Sequence, residues 1–183
     1  MSTTISYENE FNSSITEKQA SMLGNFVKII KNNNVIKIKE EYKNNELWNV
    51  IYYQENETTD QILNKYPILS GIDIAKKTDI QGNYIKEEIK GYLKHQGLKL
   101  YSFSIENILT GKTLCFGDID IQTGNIIPES VIKLQYNTYG DLAYYYHYNE
   151  QGKIDYIEEV DSKGIYANEF SMDYYNDALQ LFP

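Results

Sequence analysis

The sequence predicts an α+β fold: a mainly antiparallel, twisted β-sheet or meander with an N-terminal helix and one or two additional helices. Three observations lead there. Gly140, Gly152 and Gly164 fall twelve residues apart, so YNTYGDLAYYYH stands over YNEQGKIDYIEE, and VDSKGIYANEFS follows as a weaker third copy. Each copy joins a glycine turn, where φ > 0 is sterically cheap, to a run rich in aromatic and β-branched residues. VIKIKEEY and LWNVIYYQ flank Lys43-Asn44-Asn45-Glu46, two strand-forming runs about an Asn-rich turn. Finally, Ala20, Leu23, Val27 and Ile30 recur at helical spacing behind Ser14-Ile-Thr-Glu17, which has the spacing of a capping box.

In chain order, residues 1–13 are expected to fray, and a helix over 16–31 ends at Asn32-Asn33-Asn34. After the hairpin, QILNKY forms a short helix capped by Thr59 or Asp60 and stopped before Pro67; residues 68–82 read mostly as loop. For 84–96 a helix is favoured, with Ile85, Ile89, Tyr92 and Leu93 on one face and Gly97 as its stop. The same residues admit a strand, and Gly91 weakens a helix by about 1 kcal/mol relative to Ala. LKLYSFSIE and KTLCFGDIDI pair around Asn107–Gly111, a turn follows at Gln122–Asn125, and Pro128 marks a bend or strand edge. The meander places Leu142, Tyr144, Tyr146 and Tyr148 on one face and Ala143, Tyr145 and His147 on the other. A short helix closes the tail, which carries Phe170, Met172, Tyr174, Tyr175, Leu179 and Leu181. With no Gly, Ser or Pro linker, the 183 residues suit a single domain, 1–183, that buries about 70% of its extended-chain surface.

Seventeen basic residues against 26 acidic give a net charge of −9, and every basic residue is Lys. Without Arg, the side chain suited to guanine edges and bidentate phosphate contacts, nucleic acid is an unfavourable partner. The single cysteine, Cys115, excludes an intramolecular disulfide. The first fifteen residues have no basic and apolar signal pattern, and no apolar run reaches eighteen residues, so a cytoplasmic protein with no membrane span is expected.

No catalytic constellation stands out, and the expectation is a non-enzyme without cofactor or metal. His95 and His147 are the only histidines, neither within a G-x-S-x-G pattern, and Cys115 between Leu114 and Phe116 reads as a buried hydrophobe. Asp118, Asp120 and Glu129 stand at positions one, three and twelve of a calcium-loop pattern, but the glycine falls at position seven and Ile119 and Ile121 alternate as in a strand. The neighbouring carboxylates at 40–41, 87–88 and 158–159 diverge on strand or helix and read as surface charge.

Eighteen tyrosines remain. Sheet packing and composition account for many, while Tyr also supplies rigid contact area with a polar tip. An acidic aromatic surface is therefore expected from Tyr139, Asp141, Tyr144, Tyr145, Tyr146, His147, Tyr148, Glu150, Asp155, Glu158 and Glu159, with Asp161 beside them, facing a basic protein partner. The units Tyr136-Asn137-Thr-Tyr-Gly140-Asp-Leu142 and Tyr148-Asn149-Glu-Gln-Gly152-Lys-Ile154 resemble the YD repeats of bacterial Rhs-type proteins, although Asn replaces the usual Asp, no Arg follows Gly, and the copies are few. That resemblance implies a hairpin meander and no activity. A small, acidic, Tyr-rich chain of this kind is also similar to the immunity proteins of bacterial polymorphic toxins, which implies binding and neutralising a basic toxin domain. Alternatives are a scaffold module of a larger assembly, a small-ligand-binding domain, or an enzyme in which His95 or His147 meets Cys115 or a carboxylate in a pocket. Monomer and dimer are both open.

Overall fold

The computed structural model describes residues 2–160 and 170–183. They divide into two compact units, one within 1–76 and 89–99, the other within 77–88 and 100–183. Antiparallel β-sheet dominates both, and the helices are few and short. Among the described residues no helix is long and apolar enough to cross a membrane.

In the first unit the chain forms β1 (Thr3–Glu8), β2 (Ser14–Ile15), α1 (Glu17–Leu23), β3 (Phe26–Asn32), β4 (Val35–Lys43), β5 (Glu46–Tyr53) and α2 (Thr59–Leu63). It also takes one end each of β6 (Gly71–Gln81), β7 (Tyr84–Leu93) and β8 (Gly97–Asn107). Its neighbouring strands run β2-β1-β3-β4-β5-β6-β7. The β5–β6 pair is parallel, Tyr52 opposite Ile74, and the chain makes the necessary crossover through residues 54–70 with α2 on the way. Val50, Tyr52, Ile62, Leu69, Ile72 and Ile74 form the core beneath it.

Several elements depart from the sequence reading. Residues 3–8, in the stretch expected to fray, pair with β3 from Thr3 opposite Asn32 to Glu8 opposite Val27. The helix expected over 16–31 occupies only 17–23. Its capping box is Thr16 and Gln19 rather than Ser14 and Glu17, and Gly24 at φ 77° stops it by donating its N–H to the Ala20 carbonyl. Val27 and Ile30 lie in β3, since β-branched residues spaced by three also fit a pleated strand once neighbours supply hydrogen bonds. Asn33-Asn34 and Asn44-Asn45 each take left-handed φ at both turn positions, the requirement of a two-residue type I′ hairpin. The cap of α2 is Thr58, boxed with Gln61, one residue before the expected Thr59 or Asp60. Residues 84–93, favoured as helix, form strand β7 between β6 and β8, and most of the expected loop 68–82 is β6. Ladder pairing on both sides outweighs a local propensity difference of a few tenths of a kcal/mol per residue.

Gly71 opens β6 against the β7 backbone: a Cβ there would meet the Tyr92 carbonyl oxygen and the Leu93 Cδ2 at 2.9 Å each. Gly71→Ala is expected to destabilise the protein by about 1–3 kcal/mol. A urea midpoint unchanged from the parent would show that β7 yields without cost.

The second unit continues β8 into β9 (Thr113–Asp118), a 3-10 turn (Pro128–Ser130), β10 (Ile132–Tyr136), β11 (Leu142–Tyr148), β12 (Ile154–Glu159) and α3 (Met172–Asn176). The antiparallel order β8-β9-β10-β11-β12 is the expected meander. Residues 161–169, which hold Asp161, Gly164 and most of the third repeat copy, lie outside the described residues. The expected closing helix is present as α3, and residues 170–182 cover one face of the sheet, where Tyr174, Tyr175 and Ala178 pack with Phe103, Ile105, Cys115, Val131, Tyr146 and Tyr148.

One turn recurs through the fold. In Asn137–Asp141 and Asn149–Lys153 the Asn N–H donates to the carbonyl four residues on, and its Oδ1 accepts the N–H groups two and four residues on. The glycine N–H closes back to the Asn carbonyl. Asn9–Ser13 repeats every one of these bonds, with Asn12 at φ 57° in the place of glycine. Asn is therefore the structural residue of the repeat, its side chain replacing a missing main-chain partner.

Candidate functional site

The expected surface residues are sorted by the alternation of β11. Tyr146 and Tyr148 are buried in the core of the second unit, and their hydroxyls donate to Gln135 Oε1 at 2.6 Å and the Tyr175 carbonyl at 2.7 Å. Tyr144, half-buried, packs against the same core. These three tyrosines form the inner side of the sheet, a correction to the reading that put them on the binding surface. Their side chains share a face because strand residues two apart do.

Tyr145 and His147 point the other way. Across the β11–β12 ladder Tyr145 stands opposite Glu158, and His147 opposite Tyr156. The His147 and Tyr156 rings stack with centroids 4.1 Å apart and planes within 9°. His147 Nε2 lies 3.3 Å from Glu158 Oε2, and the Tyr145 ring is 6.4 Å from the imidazole. Tyr156 is 53% exposed and the Glu158 side chain 56%, so the cluster faces solvent. On β10 and β9, Ile132 and Phe116 extend it, being paired in register with His147 and with each other. Tyr156 was missed from sequence; its signal was its place two residues before Glu158 in the repeat.

The remaining expected residues surround this face without joining it. Glu159 alternates to the other side opposite Tyr144, and Asp155 stands at the irregularity where Tyr148 pairs with Ile154. Tyr139, 78% exposed, and Asp141 occupy the β10–β11 turn, and Glu150 the β11–β12 turn.

A second feature of this unit was missed from the sequence. Lys133 is 0% exposed, and its ammonium donates to the carbonyls of Tyr174, Asp177 at 2.6 Å and Gln180 at 2.7 Å. Its nitrogen also lies over the Tyr174 ring, 4.1 Å from the centroid. Three N–H donors meet three acceptors, which ties the C-terminal segment to the sheet. Burial pushes the neighbouring Cys115 thiol up to about 12, away from the reactive thiolate. Burial also pushes the lysine down to about 8, but its nitrogen is closed off from solvent and committed to the three carbonyls. Asp120 spends its carboxylate on the Gln122 and Thr123 N–H groups at 3.1 and 2.7 Å. Among the described residues no three acidic, His or Cys side chains gather as a metal site.

The first unit holds a cavity of about 500 Å³ between α2, the start of β6 and the β7–β8 turn, lined by Leu63, Leu69, Ile72 and Leu93 with Asp60 and His95. A histidine and a carboxylate do share a concave site here, though Lys94 is committed to the Pro67 carbonyl through its ammonium. Nearby, Lys65 Nζ donates to the Tyr52 hydroxyl at 2.6 Å, which donates to Glu57 Oε1 at 2.7 Å. That acceptance, with backbone N–H groups, holds Glu57 down at about 2, while burial and the carboxylate push the Tyr52 phenol up. The phenol is thus held protonated, the reverse of what a catalytic base needs.

No family model, no curated protein and no solved structure matches this chain.

Proposed function

We propose that this chain is a non-enzymatic protein-binding protein that presents the outer β11–β12 face to a basic partner, as an immunity protein does in neutralising a basic toxin domain. The observation that carries the reading is the solvent-facing His147–Tyr156 stack with Glu158 at its edge. Rigid aromatic area beside a carboxylate fits a cationic protein surface, and the net charge of −9 favours encounter with it. Aromatic contacts then govern the off-rate.

The test begins with the partner captured by tagged protein at low salt, then measures association of the two purified chains. Tyr156→Ala is expected to weaken association at least about tenfold, as loss of an aromatic anchor does. Affinity is expected to fall as salt rises through the physiological range. An association indifferent to both salt and Tyr156→Ala removes this face from the interface. The cavity lined by Asp60 and His95 favours a second reading, a small-ligand-binding domain, which predicts a retained small molecule and no protein partner.

A further inference from the structure

Within the β11–β12 face, His147 already occupies the place that a bound planar cation would take. Its planar ring lies flat on Tyr156, and a nitrogen reaches toward the Glu158 carboxylate. A guanidinium has the same requirements: a flat aromatic surface for its face and a carboxylate for its N–H edge. An ammonium, a compact and strongly hydrated point charge, uses the stack less well. Among the described residues the charged groups that approach the imidazole are few. Glu158 faces it from β12, Asp155 lies at the adjacent bulge, and β10 contributes the apolar Ile132 opposite it.

We propose that Tyr145, Tyr156 and Glu158 form a receptor for one arginine side chain of the partner, with His147 as the internal competitor for Glu158. This rests on the protein-binding reading above and adds the partner's chemistry: an exposed arginine, which stacks on the tyrosine rings and displaces the imidazole from the carboxylate. His147 thereby keeps Glu158 satisfied in the free protein and sets a threshold that a solvated lysine does not pass. No bond is made or broken, and the selectivity is geometric.

The probe is N-acetyl-arginine methylamide, titrated into the full chain by NMR against the lysine analogue. Shift changes confined to Tyr145, His147, Tyr156 and Glu158 are expected, with the arginine probe binding about threefold or more tighter than the lysine probe. Glu158→Gln is expected to weaken the probe about fivefold or more. His147→Phe, which keeps a ring on Tyr156 and removes the competing N–H, is expected to tighten it at least about twofold. Glu159→Gln, on the other side of β12, is the control expected to change nothing. Probe binding indifferent to Glu158→Gln, or weakened rather than tightened by His147→Phe, overturns the proposal. A basic partner that binds Glu158→Gln as well as the parent removes the receptor and leaves protein binding standing. An arginine probe that binds where no basic partner does leaves the receptor and removes the protein-binding reading.

Discussion

Lys133→Ala is expected to destabilise the second unit by about 3–5 kcal/mol, and Lys133→Met by only about 1–3 kcal/mol. Both variants leave the carbonyls of Tyr174, Asp177 and Gln180 without their donor. Each orphaned acceptor in a dry site costs about 1–3 kcal/mol, offset by no longer burying a charge. Alanine also removes the four-carbon stem and opens a cavity among Cys115, Tyr148 and Tyr174, which methionine fills. The difference between the two variants therefore isolates packing from hydrogen bonding. Urea unfolding followed by circular dichroism reads the total, and protease cleavage within 170–183 reads the release of the C-terminal segment. Equal loss in both variants would mean that the stem packs against nothing of consequence. No loss in either would mean that the segment is held by its tyrosines alone, through the Tyr148 hydroxyl and the Tyr175 carbonyl.

The contrast between Lys133 and the repeat explains what the sequence makes legible. A twelve-residue period with glycine at fixed phase is a local signal, and it places β10, β11 and β12 correctly because each turn is built from residues within five positions of one another. Asn44-Asn45 is legible for the same reason, since its left-handed φ values are set by the dipeptide itself. The matching turn at Asn9–Ser13 escapes notice because Asn12 replaces the glycine that marks the others. Lys133, by contrast, acquires its role from carbonyls 41 to 47 residues away. The one hint was a single cation inside the apolar run Val131-Ile-Lys133-Leu. The misread helices have a different origin. Ile85, Ile89 and Leu93 satisfy a helical period and a strand alternation alike, and hydrogen-bonded pairing with β6 and β8 on either side, which the periodicity of this segment alone does not encode, decides between them. At the candidate site, alternation correctly separates Tyr144, Tyr146 and Tyr148 from Tyr145 and His147. Which face is inner depends on the tail that carries Tyr174 and Tyr175, and no local pattern contains that information.

Between about pH 10 and 12 the protein is expected to unfold cooperatively, with its buried tyrosines as the cause. Burial, reinforced by a hydrogen bond to Glu40, pushes the Tyr42 phenol up to about 12. Burial pushes Tyr52, Tyr66, Tyr148 and Tyr174 further up, with Glu57, Glu40, and for the last two Cys115, adding to it. An unfolded tyrosine ionises near pH 10. Below that pH both states hold the proton and the contribution of these groups is complete. Above it the folded chain holds more protons than the unfolded chain, so stability falls as pH rises. Each such tyrosine takes away about 1.4 kcal/mol per pH unit, and five together about 7 kcal/mol, enough to exhaust a typical domain stability within two units. Lys133 acts in the opposite sense. Its ammonium sits at about 8 in the folded state and near 10.4 when unfolded, so from pH 8 to 10 the unfolded chain holds the extra proton and stability rises slightly. Cys115 offsets this gain, because its thiol sits at about 12 in the folded state and about 8.5 when unfolded, so above about pH 8.5 the folded chain holds that proton and the two groups nearly cancel. The expected profile is therefore nearly flat from about pH 8.5 to 10, followed by a steep loss. Phenolate absorbance and the β-sheet circular dichroism signal are expected to change together across that loss. Independent titration of all eighteen tyrosines near pH 10 with the sheet signal intact would show that these phenols are not buried from water.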